Sequence, residues 1–272
     1  VLGMLAISCY ILADTFFVSQ RMGTNGLAAL NLAIPIYNFI HGVGLMLGMG
    51  GATKYSICKS QNDSKGADRQ FTHSLYLGGL FTLLFVGCGL CFSEPLTRLM
   101  GADAAVFEMA NTYLQVMLLF APAFLLNDIL VCFVRNDGNP RLAMLATVGG
   151  SVSNILLDYL FMYPCGMGIF GAILATGLAP VIGILILTAH FGKKNRGFHL
   201  AWGRIEKSAV STQFSLGFPS LLAQLSSGIV MIVCNQIILG LEGNVGVAAY
   251  GVIANLSLVI VGIYTGIAQG MQ

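Results

Sequence analysis

Gly168-Ile-Phe-Gly-Ala-Ile-Leu-Ala-Thr-Gly-Leu-Ala-Pro-Val-Ile-Gly-Ile-Leu-Ile-Leu-Thr-Ala-His190 runs for 23 residues without an Asp, Glu, Lys or Arg. A helix rises about 1.5 Å per residue, and about 20 apolar residues cross the roughly 30 Å hydrocarbon core of a bilayer. This stretch is long enough to span, and it is not alone. Comparable runs cover about 1–20, 27–53, 73–93, 107–134, 142–163, 209–234 and 246–270, which makes eight predicted crossings. Turn signals separate them, among them Gly23-Thr-Asn-Gly26 and Asn136-Asp-Gly-Asn-Pro140. The fold class that follows is an all-α, polytopic membrane protein.

Composition agrees. The chain is 56% hydrophobic and 9% charged, with a mean hydropathy of +0.82. A soluble domain carries about 25% charged residues, so this chain lacks the charge to face water and takes lipid as its solvent. A net charge of +2 is too small to point to nucleic acid. Seven cysteines fall mostly inside apolar runs, and Cys88-Gly-Leu-Cys91 lies mid-span with no His or second pair beside it. They read as small membrane hydrophobes, and no metal or redox site is expected. The chain starts at Val1 without a Met and stops at Gln272 straight after an apolar run, which reads as a fragment.

The basic residues orient the chain. Lys54, Lys59, Lys65 and Arg69 follow the second span, Arg135 and Arg141 the fourth, and Lys193, Lys194, Arg196, Arg204 and Lys207 the sixth. Only Arg21 and Arg98 fall on the other side. The positive-inside rule puts the loops after even-numbered spans, and both ends of this fragment, in the cytoplasm of a cell with the protein in its plasma (inner) membrane. The longest polar connection, around 191–208, holds the only tryptophan, Trp202, which reads as an interfacial anchor. It divides an N-terminal lobe, 1–190, from the start of a second lobe, 209–272.

A shift of 220 residues aligns Gly23, Gly26, Ala28 and Ala29 with Gly243, Gly246, Ala248 and Ala249, and Gly42 and Gly50 with Gly262 and Gly270. An offset of six helices makes the repeats parallel, an architecture known among transporters. The expected molecule has two lobes of six transmembrane helices, the second incomplete here. Gly44-x-x-x-Gly48 and Gly262-x-x-x-Gly266-x-x-x-Gly270 read as close helix packing.

Ionisable groups inside a membrane are costly and are candidate functional sites. Three acids lie well within spans: Asp14, Asp128 and Asp158. Counting from the outer ends, Asp14 is roughly 10 Å deep, Asp158 roughly 9 Å and Thr176 roughly 12 Å. Thr147, Ser151, Asn154 and Asp158 share one helix face. Asn154 and Asp158, one turn apart, suit a site that takes up a proton or a cation. Asp128, seven residues before Arg135, reads as a boundary or gating pair with it. Asn31, Asn38 and His41 share a face of the second span, where His41 is either a proton relay or a hydrogen-bonded structural group.

Several segments also resemble a known family. Tyr10-Ile-Leu-Ala-Asp14-Thr-Phe-Phe-Val18 with Leu27-Ala-Ala29, Arg135-Asn-Asp-Gly-Asn-Pro140, Asn154-Ile-Leu-Leu-Asp158, Gly171-Ala-Ile-Leu-Ala-Thr176, Gly217-Phe-Pro219 and Gly266-Ile-Ala-Gln-Gly270 follow in order the pattern of the multidrug and toxic compound extrusion (MATE) family. The resemblance implies a monomeric antiporter, not an enzyme, that expels small organic, often cationic, compounds as protons or Na⁺ re-enter. It needs no cofactor beyond that coupling ion. The family's cation site falls on Asp14, Asn154, Asp158 and Thr176, with transient Na⁺ at the first three in a sodium-driven member. Tyr10, Asn38, His41, Asp128 and Arg135 stand as secondary polar or gating residues. One branch of the family carries a glutamate in span seven where this chain has Ser227, which argues against a carboxylate site in the second lobe. The alternative within the superfamily is a flippase for lipid-linked saccharide precursors, which would call for an Arg-rich cavity.

Overall fold

A computed structural model describes residues 2–192, 196–201 and 207–271. The described residues form helices and short connections with no strand. In order they are α1 (Leu2–Ser60), α2 (Ser64–Cys91), α3 (Ser93–Leu99), α4 (Phe107–Leu119), α5 (Ala121–Asn136), α6 (Pro140–Met162), α7 (Gly168–Phe191) and α8 (Lys207–Met271). Trp202 lies outside the described residues, as does much of the connection around it.

At 59 residues α1 is too long for one crossing, and it contains two, joined at Gly23. The glycine adopts φ 65°, ψ −155°, a conformation open essentially to glycine alone. No loop is needed; one residue reverses the chain between two helices. The turn expected over 23–26 is thus compressed, and Gly26 serves packing. A Cβ there would stand 2.3 Å from Met22 Cβ. The 65-residue α8 repeats the device at Gly243, with φ 65° and ψ −156°. Gly246 then meets Glu242 as Gly26 meets Met22. The 220-residue repeat seen in the sequence is therefore repeated in backbone geometry.

The fourth crossing is also broken. α4 and α5 meet at a 50° bend between Leu119 and Ala121. Pro122, in the first turn of α5, explains the break: it has no N–H to offer and its ring crowds the carbonyl four residues back. Elsewhere helices outrun the predicted spans. α1 continues to Ser60 and α2 begins at Ser64, so Lys54, Lys59, Lys65 and Arg69 lie on helical extensions. Asp63 caps α2 by accepting from the Gly66 N–H.

Phe133, Leu47, Met46, Ile40, Met117 and Leu118 fill the interior. Leu83 and Leu241, by contrast, are 72% and 77% exposed. Large apolar side chains set outward in such numbers call for lipid or further apolar segments around them, not water. Between the lobes, α1 and α8 approach backbone to backbone. A Cβ on Gly50 would sit 2.1 Å from the Gln213 carbonyl oxygen, and one on Gly217 would sit 2.0 Å from that of Met46. Fully buried Gln213 donates from Nε2 to the Leu47 carbonyl at 3.0 Å and to Ser74 Oγ at 2.7 Å. Nearer the other end of the same seam, Asn31 Nδ2 donates to the Val247 carbonyl at 3.3 Å. Asn31 therefore faces the second lobe rather than sharing the wall of Asn38 and His41, as its spacing had implied.

Candidate functional site

The four residues expected to form the cation site converge. Asp14 comes from the first half of α1, Asn154 and Asp158 from successive turns of α6, and Thr176 from α7; all four are buried. The Asn154 amide lies between the last two. Turned with its nitrogen toward the acid, it donates to Asp158 Oδ2 at 3.0 Å and accepts from the Thr176 N–H at 3.2 Å. The Thr176 hydroxyl donates back to the Ala172 carbonyl at 3.1 Å. Asp14 is close enough for its charge to act on Asp158, and the Tyr113 hydroxyl feels both. One oxygen of each acid, Asp14 Oδ1 and Asp158 Oδ1, has no hydrogen-bond partner.

Those two oxygens decide the chemistry. A buried carboxylate without donors costs several kcal/mol, and two side by side cost more. A proton taken up by either acid, or a small cation near them, reduces that cost.

The rest of the α6 stripe is quieter. Thr147 Oγ1 donates to the Ala143 carbonyl at 3.0 Å, and Ser151 Oγ to that of Thr147 at 2.9 Å, so both hydroxyls are satisfied within their own helix. They border a cavity of about 510 Å³ whose wall also includes Asp14 and Thr176. Asn154 and Asp158 stand behind that wall. The cavity runs along the N-terminal lobe, past Met117 and Phe124, to Arg135 and Pro140 at the end where the basic loops lie, and Gln224 and Val261 of α8 complete its wall.

A second polar group lines the same cavity. Tyr10 and Tyr37 share a hydrogen bond of 3.1 Å between their hydroxyls. Tyr37 stacks on His41, with centroids 5.9 Å apart and planes 10° from parallel. His41 Nδ1 lies 2.8 Å from Asp128 Oδ2. This corrects the pairing expected of Asp128: its partner comes from the second crossing, not from its own helix. Arg135 Nη2 lies 3.2 Å from Met49 Sδ and 3.9 Å from Cys132 Sγ. Asn38 also faces the cavity. Gly44 and Gly48 explain how α5 comes so close, since a Cβ on either would strike Asp128.

Sequence reasoning missed a third cluster, outside the membrane. Asp137, after the end of α5, accepts from the Tyr55 hydroxyl, from Lys59 Nζ, from His190 Nε2 at 2.8 Å and from the Gly197 N–H at 2.8 Å. Burial alone would raise its pKa, but these donors outweigh it and hold the carboxyl at about 2. Next to Gly197, fully buried Phe198 packs among Tyr55, Phe71, Phe133, Phe191 and the His190 ring. Together they staple the connection after α7 onto the N-terminal lobe.

The family profile described as MatE matches residues 1–160. The chain is similar to the multidrug export protein MepA of Staphylococcus saprophyticus, at 27% identity, with 98% of this chain and 60% of that protein covered. It spans about 60% of the length of the curated relatives it matches. Among solved structures, one described as the inward-facing conformation of a multidrug resistance MATE family transporter of the MOP superfamily superposes with a TM-score of 0.89 at 30% identity, over 97% of this chain and 59% of that one. A structure of the MATE multidrug transporter DinF-BH gives a TM-score of 0.92 at 27% identity, over 99% of this chain and 61% of that one.

Proposed function

This chain belongs to the MatE family, and from that premise we propose that the protein is a cation-coupled antiporter that exports organic cations by alternating access between two lobes. The observation that carries the reading is the pair of buried acids, each with an oxygen lacking a donor: Asp14 on the wall of a largely apolar cavity of about 510 Å³, and Asp158 behind that wall. A cavity of that volume suits a drug-sized ligand. The acids supply the ion site, with Asn154 and Thr176 fixing the orientation of Asp158. Proton or Na⁺ enters at that pair from the outer face. It can drive export only so far as its affinity differs between the two lobe arrangements. In the topology proposed here both ends of the chain are cytoplasmic, residues 1–190 form the first lobe and 209–272 begin the second.

The flippase alternative gains little from the cavity, where Arg135 is the one arginine on the wall among the described residues and stands at its end. The test is efflux of a fluorescent cation from proteoliposomes under an imposed proton or sodium gradient. Efflux should follow one of the gradients and should be lost in Asp14→Asn and Asp158→Asn, with protein levels unchanged. Gradient-driven efflux surviving in both variants would remove this pair as the coupling site.

A further inference from the structure

We propose that Asp128 is a second ion-exchange site in the same cavity, the anionic anchor for an organic cation entering from the cytoplasm, with the His41 side chain as its place-holder. The argument begins with geometry. Asp128 is buried on α5, and its Oδ2 lies 2.8 Å from His41 Nδ1. No donor other than this imidazole reaches Oδ2 among the described residues. The imidazole therefore neutralises the acid by charge and proximity, the kind of contact another cation can replace. Gly44 holds the carboxylate in place, because its backbone comes so near that a Cβ would be 2.5 Å from Oδ2.

The surroundings match a cation that is also apolar. Tyr37 stacks on His41 and meets Phe124 edge-on, with centroids 5.7 Å apart. Phe124 is one helical turn from Asp128. An acid beside two aromatic rings, within an otherwise apolar cavity, recognises a protonated amine, a quaternary ammonium or a phosphonium by charge and by ring faces together. A neutral compound of the same shape would leave the His41–Asp128 pair undisturbed.

The exchange balances in charge. When the cation binds, protonated His41 releases its proton to the solvent and turns aside, and the cation takes its place against Asp128. Each cation bound thus displaces one proton at this site. The titratable groups sharing the cavity wall are Tyr10 and Asp14 from the first crossing, Tyr37 from the second, Tyr113 from α4, and Cys132 and Arg135 from α5. Asp14, with Asp158 behind it, could mimic the effect, so the measurement belongs in an Asp14→Asn, Asp158→Asn background. The proposal rests on the exporter reading only for the direction from which the cation arrives.

Tetraphenylphosphonium is the probe, since its charge is permanent, with uncharged triphenylphosphine oxide as control. Calorimetry of the detergent-solubilised Asp14→Asn, Asp158→Asn protein, repeated in buffers of different ionisation enthalpy, reads both affinity and proton release. Affinity should rise with pH as His41 gives up its charge, with proton release on binding at the acid end. Asp128→Asn should weaken binding about ten-fold or more, the usual consequence of removing one partner of a buried charge contact. His41→Gln should bind the probe at least as tightly as the parent and release no proton, a gain that a misfolded protein cannot show. Equal affinity in Asp128→Asn, or proton release persisting in His41→Gln, would overturn the proposal. Binding does not require transport, so loss of gradient coupling alone would count against the Asp14–Asp158 reading and leave this one standing.

Discussion

Asp158 depends on one side chain, Asn154, for its hydrogen bond, and the two sit one helical turn apart. Asn154→Ala leaves a buried acid without that donor, a loss of about 1–3 kcal/mol. We expect gradient-driven efflux to fall at least several-fold in this variant, and initial rates in proteoliposomes would check it. These residues were legible because they announce themselves locally: an acid deep in a span, and polar groups at spacings of three and four on one face. Tyr113 was not, since its place beside Asp14 and Asp158 depends on how a broken span folds back. Asp137 was hidden more deeply. Its partners Tyr55, His190 and Gly197 lie 82, 53 and 60 residues away, and nothing near Asp137 in the sequence points to them. Its pH behaviour follows from its low pKa. A carboxyl held at about 2, against an ordinary value of about 4, stabilises the staple fully above about pH 4 and loses that contribution as pH falls through about 2. The staple therefore stays closed throughout the neutral pH range. Asp137→Ala should free the connection after α7 and speed tryptic cleavage after Arg196 about ten-fold in inside-out vesicles. Unchanged cleavage would mean that Phe198 alone holds the connection.

At the scale of elements, the two glycine corners carry the most information. Gly23 and Gly243 share φ 65° and ψ close to −155°, although 220 residues separate them. A Cβ at either position would meet nothing within 4 Å, so the constraint is in the backbone and not in the surroundings. Gly23→Ala and Gly243→Ala should each destabilise the protein by about 1–3 kcal/mol, read as a lower melting temperature in detergent. Wild-type melting in either variant would show that the corner relaxes to a conformation alanine tolerates. The sequence signalled both turns through their glycines and through the repeat. It could not signal that the helix would resume at once on both sides, because a polar Thr-Asn pair reads as loop. The break between α4 and α5 was similarly concealed. Pro122 is visible, but a proline in a long apolar run fits a kinked single helix as well as two helices meeting at 50°.

For the whole molecule, the decisive surface is the seam between α1 and α8, where the lobes meet. The apolar spans and the repeat made two lobes readable, yet no local pattern says which faces touch. That knowledge comes from contacts such as Gly251, where a Cβ would fall 2.1 Å from Asn31 Cγ, and Gly50, where one would strike the Gln213 carbonyl. Contact so close leaves no room for gradual deformation, and packed interfaces of this kind have discrete arrangements rather than a continuum. If the lobes rock to expose the cavity first to one side and then to the other, Asn31 and Gly251 must part in every cycle. Asn31→Cys with Gly251→Cys, in a background lacking the seven native cysteines, should form a disulfide under mild oxidation. Export should stop when the bond forms and recover on adding a reductant, while tetraphenylphosphonium binding at Asp128 survives in both states. Export continuing across the closed bond would mean that the lobes move without opening here. The cavity would then have to reach the outer face through the first lobe alone, along the line from Asp128 past Tyr37 and Tyr10 to Asp14.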